Sequence, residues 1–177
     1  MRALVPLAEG FEEIEATTVI DVLRRAGIDV ITAGLPGTYI RGSNNIQIVA
    51  DKKMDDLNAS DFDALVLVGG NPGYKNLGKS GKIKDAIQEF DRKGKTIAAI
   101  CAAPSVLCKA GILNNRKATI YPGMEKDIPR PRGKRLEVDE HIITSQGPGT
   151  AMEFSLKIVE KLAGASKAEM IKKQLVF

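Results

Sequence analysis

Short apolar segments alternate with amphipathic segments along almost the whole chain. The apolar segments are typical of buried parallel strands, and the amphipathic segments have the three-to-four-residue spacing of helices. The pattern predicts strands at Arg2–Ala8, Ile28–Ala33, Asp63–Val68, Lys95–Ile100, Lys117–Tyr121 and His141–Ser145. It predicts helices at Glu12–Ala26, Ile83–Lys93, Ala102–Gly111, Thr150–Leu162 and Lys167–Leu175. This alternation indicates an α/β fold, a three-layer α/β/α sandwich around a mostly parallel sheet.

The segment Tyr39–Asp51 does not fit the alternation. It is extended, rich in Gly, Ser and Asn, and carries three isoleucines: Ile40, Ile46 and Ile48. Extended excursions from a sheet are candidates for pairing across a two-fold axis. The first helix adds Ile14 and Val22, which the sheet alone does not fully cover. We therefore expect a homodimer interface in this region; the alternative is a monomer with a loosely ordered loop.

Composition predicts an ordinary globular protein. The 177 residues are 44% hydrophobic and 27% charged, without a repeat or linker, so we expect one domain over residues 1–177. No apolar run is long enough for a membrane span, and no signal-peptide pattern follows the first strand. Two cysteines are too few for a disulfide scaffold, which favours a reducing cytoplasm. The net charge of +4 is too modest to imply nucleic acid.

Cys101 lies between a predicted strand and a predicted helix. The turn would place its thiol at the positive end of the helix, as in a nucleophile elbow with cysteine in place of serine. Unpaired N–H groups there predict a lowered thiol pKa. Most cysteines are simply small buried residues. The small residues around Cys101 and the position of Glu15 favour a reactive thiol.

Glu15 interrupts the apolar stripe of the first helix, four residues after Phe11 and four before Val19. A buried carboxyl is costly when ionised, so its pKa should rise and it should need a hydrogen-bond partner. One interpretation is that Glu15 reaches the edge of the stripe and solvent. The other is a protonated glutamic acid that touches the Cys101 sulfur and moves protons.

Glycine-rich turns follow two apolar strands, at Gly69-Gly70 and at Gly147-Pro148-Gly149. Neither matches a dinucleotide or phosphate-binding motif. They are either plain tight turns or, at Gly70, a backbone donor that forms an oxyanion hole with the N–H of Ala102. The basic stretch from Pro129 to Arg135 lacks interleaved aromatics, so a solvated loop is favoured over a nucleic-acid site.

Four motifs occur in order over nearly the whole chain: Glu-Gly-Phe-Glu-Glu-Ile-Glu, Val-Gly-Gly-Asn, Ala-Ile-Cys-Ala-Ala-Pro and Thr-Ser-Gln-Gly-Pro-Gly-Thr. Together they resemble the ThiJ/PfpI superfamily, nearest to its parkinsonism-associated deglycase ("DJ-one") branch and bacterial relatives. The resemblance implies a flavodoxin-like sandwich, a homodimer, and a reactive cysteine hydrogen-bonded to a protonated glutamate. Cys101 matches that cysteine and Glu15 that glutamate. Gly69, Gly70 and Ala102 match the backbone donors.

The chain departs from the family's pattern at three positions. Ala102 follows the cysteine where some branches have histidine, and Asn44 stands where some relatives carry an arginine. Tyr121 replaces a histidine that the deglycase branch often carries; a phenol donates a hydrogen bond but is a weaker base at neutral pH. The only histidine, His141, lies far from Cys101 in sequence and is expected to be structural or exposed.

The sequence leaves three functions open. The first is a cofactor-free, metal-free glyoxalase III-type lyase or deglycase, in which Cys101 attacks a 2-oxoaldehyde such as methylglyoxal, or its adduct, and Glu15 relays a proton. The second is a stress-response redox sensor or chaperone with an oxidisable Cys101. The third, a cysteine peptidase or amidase, is disfavoured because no base is paired with the thiol in the sequence.

Overall fold

A seven-stranded sheet forms the centre of the computed structural model, which describes all 177 residues. The strands are β1 (Arg2–Ala8), β2 (Asp29–Leu35), β3 (Tyr39–Arg41), β4 (Gln47–Val49), β5 (Lys52–Lys53), β6 (Ala64–Leu67), β7 (Thr96–Ile100), β8 (Leu136–Asp139) and β9 (Ile142–Ser145). The helices are α1 (Glu13–Arg25), α2 (Gly73–Leu77), α3 (Gly81–Arg92), α4 (Pro104–Lys109), α5 (Ala151–Ala163) and α6 (Ala165–Gln174). No helix is both long and apolar enough to cross a membrane.

The sheet order is β5-β2-β1-β6-β7-β9-β8, and every pair is parallel except the β8–β9 hairpin at one edge. β1, β6, β7 and β9 are therefore consecutive neighbours that point the same way. Because carboxyl ends of parallel strands meet at one edge, the loops that follow these four strands lie side by side. This arrangement positions the candidate site.

Side chains alternate between the two faces of the sheet, and each face supports one core. Ala3, Val5 and Leu7 of β1 pack with α1, α5 and α6. Leu4 of the same strand packs into the second core, with α3 and α4. The alternation explains why β1 is apolar at nearly every position: both of its faces are covered by helices.

The segment after β2 forms a separate antiparallel hairpin of β3 and β4. Glu13, on the first turn of α1, holds its tip: Oε1 accepts a 2.6 Å hydrogen bond from the Asn44 N–H, and Oε2 accepts from Asn44 Nδ2 at 3.0 Å and Ser43 Oγ at 3.2 Å. Burial alone would raise the pKa of Glu13, but the hydrogen bonds from Asn44 and the local backbone together lower it. Glu13 is thus a buried anchor for the hairpin.

The predicted fold class is confirmed, and so are five of the six strands and all five helices, with boundaries shifted by a few residues. The exception is Lys117–Tyr121, which forms only an isolated bridge at Ala118. The reason is that the free edge of β9 is taken by β8, an unpredicted strand that forms a hairpin with it. The Thr119 N–H instead donates to the Thr144 side chain at 2.9 Å. The sequence also missed the short helix α2 and strand β5.

One expectation about the first helix needs correction. Val22, expected to lie partly uncovered, is 1% exposed and belongs to the core, because α5 packs against α1. Ile14, by contrast, is 56% exposed. Glu13, which looks like an ordinary first-turn carboxylate in the sequence, is buried by the hairpin that it anchors.

Replacing Glu13 by Ala should loosen the hairpin tip without unfolding the sheet. Hydrogen bonds to a charged group contribute about 1.5–3 kcal/mol each. Amide hydrogen exchange at Asn44 should therefore become at least tenfold faster, with exchange in β1 unchanged. Asp21→Ala, which removes an exposed carboxylate from the same helix, is the control. Unchanged exchange at Asn44 would contradict the anchoring role.

Candidate active site

Cys101 occupies a strained turn directly after β7. Its φ of 63° lies in the left-handed region, which non-glycine residues rarely adopt. Such a conformation costs about 1–3 kcal/mol and persists only where neighbours enforce it. Here the Cys101 N–H donates to the Ser145 carbonyl at 2.9 Å, and its carbonyl accepts from the Tyr121 N–H at 2.9 Å. The predicted elbow is present, and β9 and the Tyr121 segment hold it.

Glu15 lies beneath this elbow and has no solvent exposure. Its Oε2 accepts a 2.7 Å hydrogen bond from the Gly69 N–H, and the carboxyl interacts with the Cys101 thiol. The other oxygen, Oε1, is buried without a hydrogen-bond partner. Of the two interpretations of Glu15, solvent contact at the edge of the stripe is therefore wrong.

Burial raises the pKa of Glu15 to about 7, against the opposing effect of the Gly69 hydrogen bond. Burial also raises the pKa of the Cys101 thiol to about 12, with the charge of Glu15 as the second cause. The lowered thiol pKa predicted from the sequence is thus wrong beside an ionised Glu15. The helix that was expected to lower the thiol pKa, α4, is only six residues long. The two groups cannot both ionise near neutral pH: below about pH 7 the pair holds two protons, and above it the pair holds one proton and one negative charge.

Two backbone N–H groups, those of Ala102 and Gly70, act on the sulfur and favour its charged form. The Gly69 N–H has a different role from the one expected, because it donates to Glu15. Glycine is required at position 69, since a Cβ there would lie 2.7 Å from Cys101 Cβ and 3.1 Å from Glu15 Oε2. Gly70 has φ 91°, and a Cβ there would overlap the backbone of Glu12 at 2.3 Å.

A pocket of about 410 Å³ opens above the sulfur. Cys101, Ala102, Gly70 and the half-exposed Tyr121 line it, so the structure brings these predicted residues together. The lining residues that the sequence analysis missed are Glu12, Asn71, Tyr74, Met124 and Pro148. The sequence contains a signal for Glu12 in its spacing. Residues three apart on a helix lie on the same side, and Glu12 precedes Glu15 by three positions.

Other candidate residues lie away from this pocket. His141 is at the start of β9, at the opposite edge of the sheet from Cys101, where its Nε2 lies 2.9 Å from Asp91 Oδ1. Asn44 is bound to Glu13, and Cys108 is half-buried against the second core. In the basic loop, Arg135 pairs with Glu153. No group of three or more His, Cys, Asp or Glu side chains is arranged to hold a metal.

The fold and this site define a flavodoxin-like α/β protein with a cysteine on an elbow above a buried glutamate. A model described as "DJ-1/PfpI family" matches residues 1–161, and the chain belongs to this family. It is 42% identical to "Protein dj-1beta" of Drosophila melanogaster, over 98% of this chain and 96% of that protein. It is 36% identical to "Glutathione-independent glyoxalase DJR-1.2" of Caenorhabditis elegans, over 94% and 91%. The solved structure "Toxoplasma gondii DJ-1, oxidized" matches with a TM-score of 0.96 and 36% identity, over 99% and 98%.

The raised pKa of Glu15 predicts a specific dependence of stability on pH. The folded state binds this proton more tightly than the unfolded chain, so the stabilisation is complete below pH 4.5 and is lost as pH rises through about 7. Glu15→Gln has no such proton to lose. From pH 4.5 to 7.5, the free energy of unfolding of the wild type should therefore fall by about 3 kcal/mol relative to this variant. Urea titrations across that range measure the difference; parallel pH curves would contradict the assignment.

Proposed function

We propose that the protein is a cofactor-free glyoxalase or deglycase that acts on 2-oxoaldehydes such as methylglyoxal, or on their adducts. The observation that carries the proposal is the Cys101–Glu15 pair, with one shared proton, at the floor of an open pocket. A nucleophile beside a group that takes its proton is the requirement for covalent catalysis. The name of the Caenorhabditis elegans relative adds support.

The proposed reaction needs no external oxidant. As the sulfur of Cys101 bonds to the aldehyde carbon, its S–H bond breaks, and the proton passes to Glu15 and then to the new oxygen, giving a hemithioacetal. Moving the proton of the former aldehyde carbon to the neighbouring ketone carbon, and the hydroxyl proton to the ketone oxygen, gives a lactoyl thioester; one carbon is oxidised and the other reduced. Water then cleaves the C–S bond, releasing lactate and the thiol. Where the substrate is an adduct of the aldehyde, its bond to the amine or thiol breaks as the Cys101 sulfur bonds to the former aldehyde carbon, and the amine or thiol leaves.

The remaining predicted residues have roles in this scheme. The N–H groups of Gly70 and Ala102 stabilise negative charge on sulfur and on the adjacent oxygen, as an oxyanion hole does. The Tyr121 phenol is a hydrogen-bond donor for the second substrate oxygen. Gly69 acts indirectly, through its hydrogen bond to Glu15.

The function is tested by following loss of methylglyoxal and formation of lactate without glutathione. Cys101→Ser should abolish turnover, and Glu15→Gln should reduce it by at least 100-fold, a typical contribution of proton transfer. Cys108→Ser, which removes the other thiol, is the matched control and should retain activity. Equal activity of Cys101→Ser and wild type would contradict the proposal.

Redox sensing by Cys101, with a linked chaperone role, is the second candidate. The observation that favours it is that Cys101 is partly exposed within the pocket and lies beside two N–H donors and Glu15. The same groups would hold the oxygens of a cysteine sulfinate. A peptidase or amidase remains disfavoured, because the pocket contains no histidine. Both cysteines are unpaired, which suits the proposed cytoplasmic location.

We also propose that two copies of the chain form a homodimer through the hairpin and α1. Four apolar side chains there are more than half exposed: Ile14, Tyr39, Ile46 and Val49. The Ile46 N–H lies 3.4 Å from Glu13 Oε1, which brings the hairpin residue Ile46 close to the start of α1, where Ile14 follows Glu13. This surface adjoins the site, because α1 also carries Glu15.

Light scattering at micromolar concentration should give the mass of two chains for the wild type. Ile14→Asp and Ile46→Asp should shift the population toward monomer, because each places a charge in an apolar interface. Val138→Asp, at an exposed apolar position on β8, is the control and should leave the mass unchanged. A monomeric wild type would rule the interface out.

A further inference from the structure

Glu12 lies beside the pocket but has no role in the formation of the thioester on Cys101. It lines the pocket above Cys101, at the residue that precedes α1. Its backbone is fixed by a 3.0 Å hydrogen bond from its N–H to the Gly69 carbonyl. Its side chain is partly exposed: Oε1 accepts a long hydrogen bond of 3.4 Å from the Ile14 N–H, and Oε2 accepts one of 3.4 Å from Ser43 Oγ. A carboxylate therefore stands in the pocket wall, in contact with solvent.

The last step of the proposed reaction needs a base that reaches water. Glu15 is fully buried beneath the sulfur, so it can exchange a proton with Cys101 but does not contact the solvent side of the pocket. The nine lining residues include no histidine, lysine or arginine. Besides Cys101, their ionisable side chains are Glu12 and the two phenols of Tyr74 and Tyr121. A phenol is a poor base near neutral pH, which leaves Glu12.

We propose that Glu12 is the general base that activates water for hydrolysis of the thioester on Cys101, an inference that rests on the proposed function. Glu12 takes a proton from water as the water oxygen bonds to the acyl carbon. The C–S bond then breaks, and the sulfur leaves carrying the electron pair. The acid product departs as its anion, its proton neutralises the sulfur by way of Glu15, and Glu12 returns its own proton to solvent. No oxidant or cofactor is involved.

The two carboxyl groups are near enough to affect each other, since the charge of Glu12 contributes to the raised pKa of Glu15. Their environments assign them different tasks. The buried group keeps its proton for the sulfur, whereas the solvent-contacting group is free to act on water. Such a division between two carboxyls in unequal surroundings is a general means of combining acid and base chemistry in one site.

The test separates formation of the thioester from its hydrolysis. Wild type, Glu12→Gln and Glu9→Gln are mixed with methylglyoxal, quenched with acid at successive times, and analysed by intact mass and by mapping of the Cys101 peptide. Glu9→Gln is the matched control, because it removes a nearby exposed carboxylate that does not line this pocket. Steady-state lactate formation is measured in parallel.

Glu12→Gln should form the lactoyl thioester at the wild-type rate and accumulate it, while kcat falls about 100-fold. Glu9→Gln should behave as wild type. Hydroxylamine, a nucleophile that needs no base, should release the acyl group from the accumulated adduct once free methylglyoxal is removed, which identifies the adduct as a thioester; its formation at the wild-type rate shows that the variant is folded.

Three results would overturn the inference: kcat in Glu12→Gln within about threefold of wild type, a higher KM with unchanged kcat, or lost turnover without an adduct. The first two would leave the proposed function intact. Absence of both adduct and turnover in the wild type would instead remove the proposed function, and the role of Glu12 with it.

Discussion

The contact between a buried glutamate and a cysteine sulfur determines the rest of this site. Glu15 has no exposure and no cation beside it, so its ionised form is destabilised by burial. The thiol above it is destabilised as a thiolate for the same reason and by the charge of Glu15. The result is one proton held between two groups. The fold supplies this pair at the cost of a buried, incompletely paired carboxyl oxygen.

The sheet explains how residues distant in sequence converge on that pair. Loops after β1, β6, β7 and β9 lie side by side because these strands are parallel neighbours. Each contributes one element: Glu15 on α1, the Gly69-Gly70 turn, the Cys101 elbow, and the Ser145 carbonyl that holds the elbow. The glycines permit an approach that any side chain would block. The site is thus a consequence of strand order together with small residues at two turns.

The sequence predicted most of the fold because burial on both faces gives strands such as β1 and β6 a continuous apolar pattern. The pairing of Cys101 with Glu15 was one of two interpretations of Glu15, since a carboxyl inside an apolar stripe needs either solvent or a partner, and the family resemblance implied it. The sequence failed at Lys117–Tyr121, where an apolar pattern is used for packing while the short, polar β8 takes the sheet edge. It failed for the thiol pKa, because burial depth and the charge on Glu15 are properties of the assembled site. Glu13 was overlooked, because a hairpin from another part of the chain gives it its surroundings.

Infrared spectroscopy of the Glu15 carboxyl tests the central claim, that this buried group keeps its proton beyond the range of an ordinary glutamate. The signal is the carbonyl band of a protonated carboxyl that is present in wild type and absent from Glu15→Gln, followed as a function of pH. This band should persist well above pH 4.5, the ordinary pKa of a glutamate, and should be about half retained at about pH 7. Complete loss of the band near pH 4.5 would mean that Glu15 ionises as an ordinary glutamate beneath Cys101, and would contradict its raised pKa.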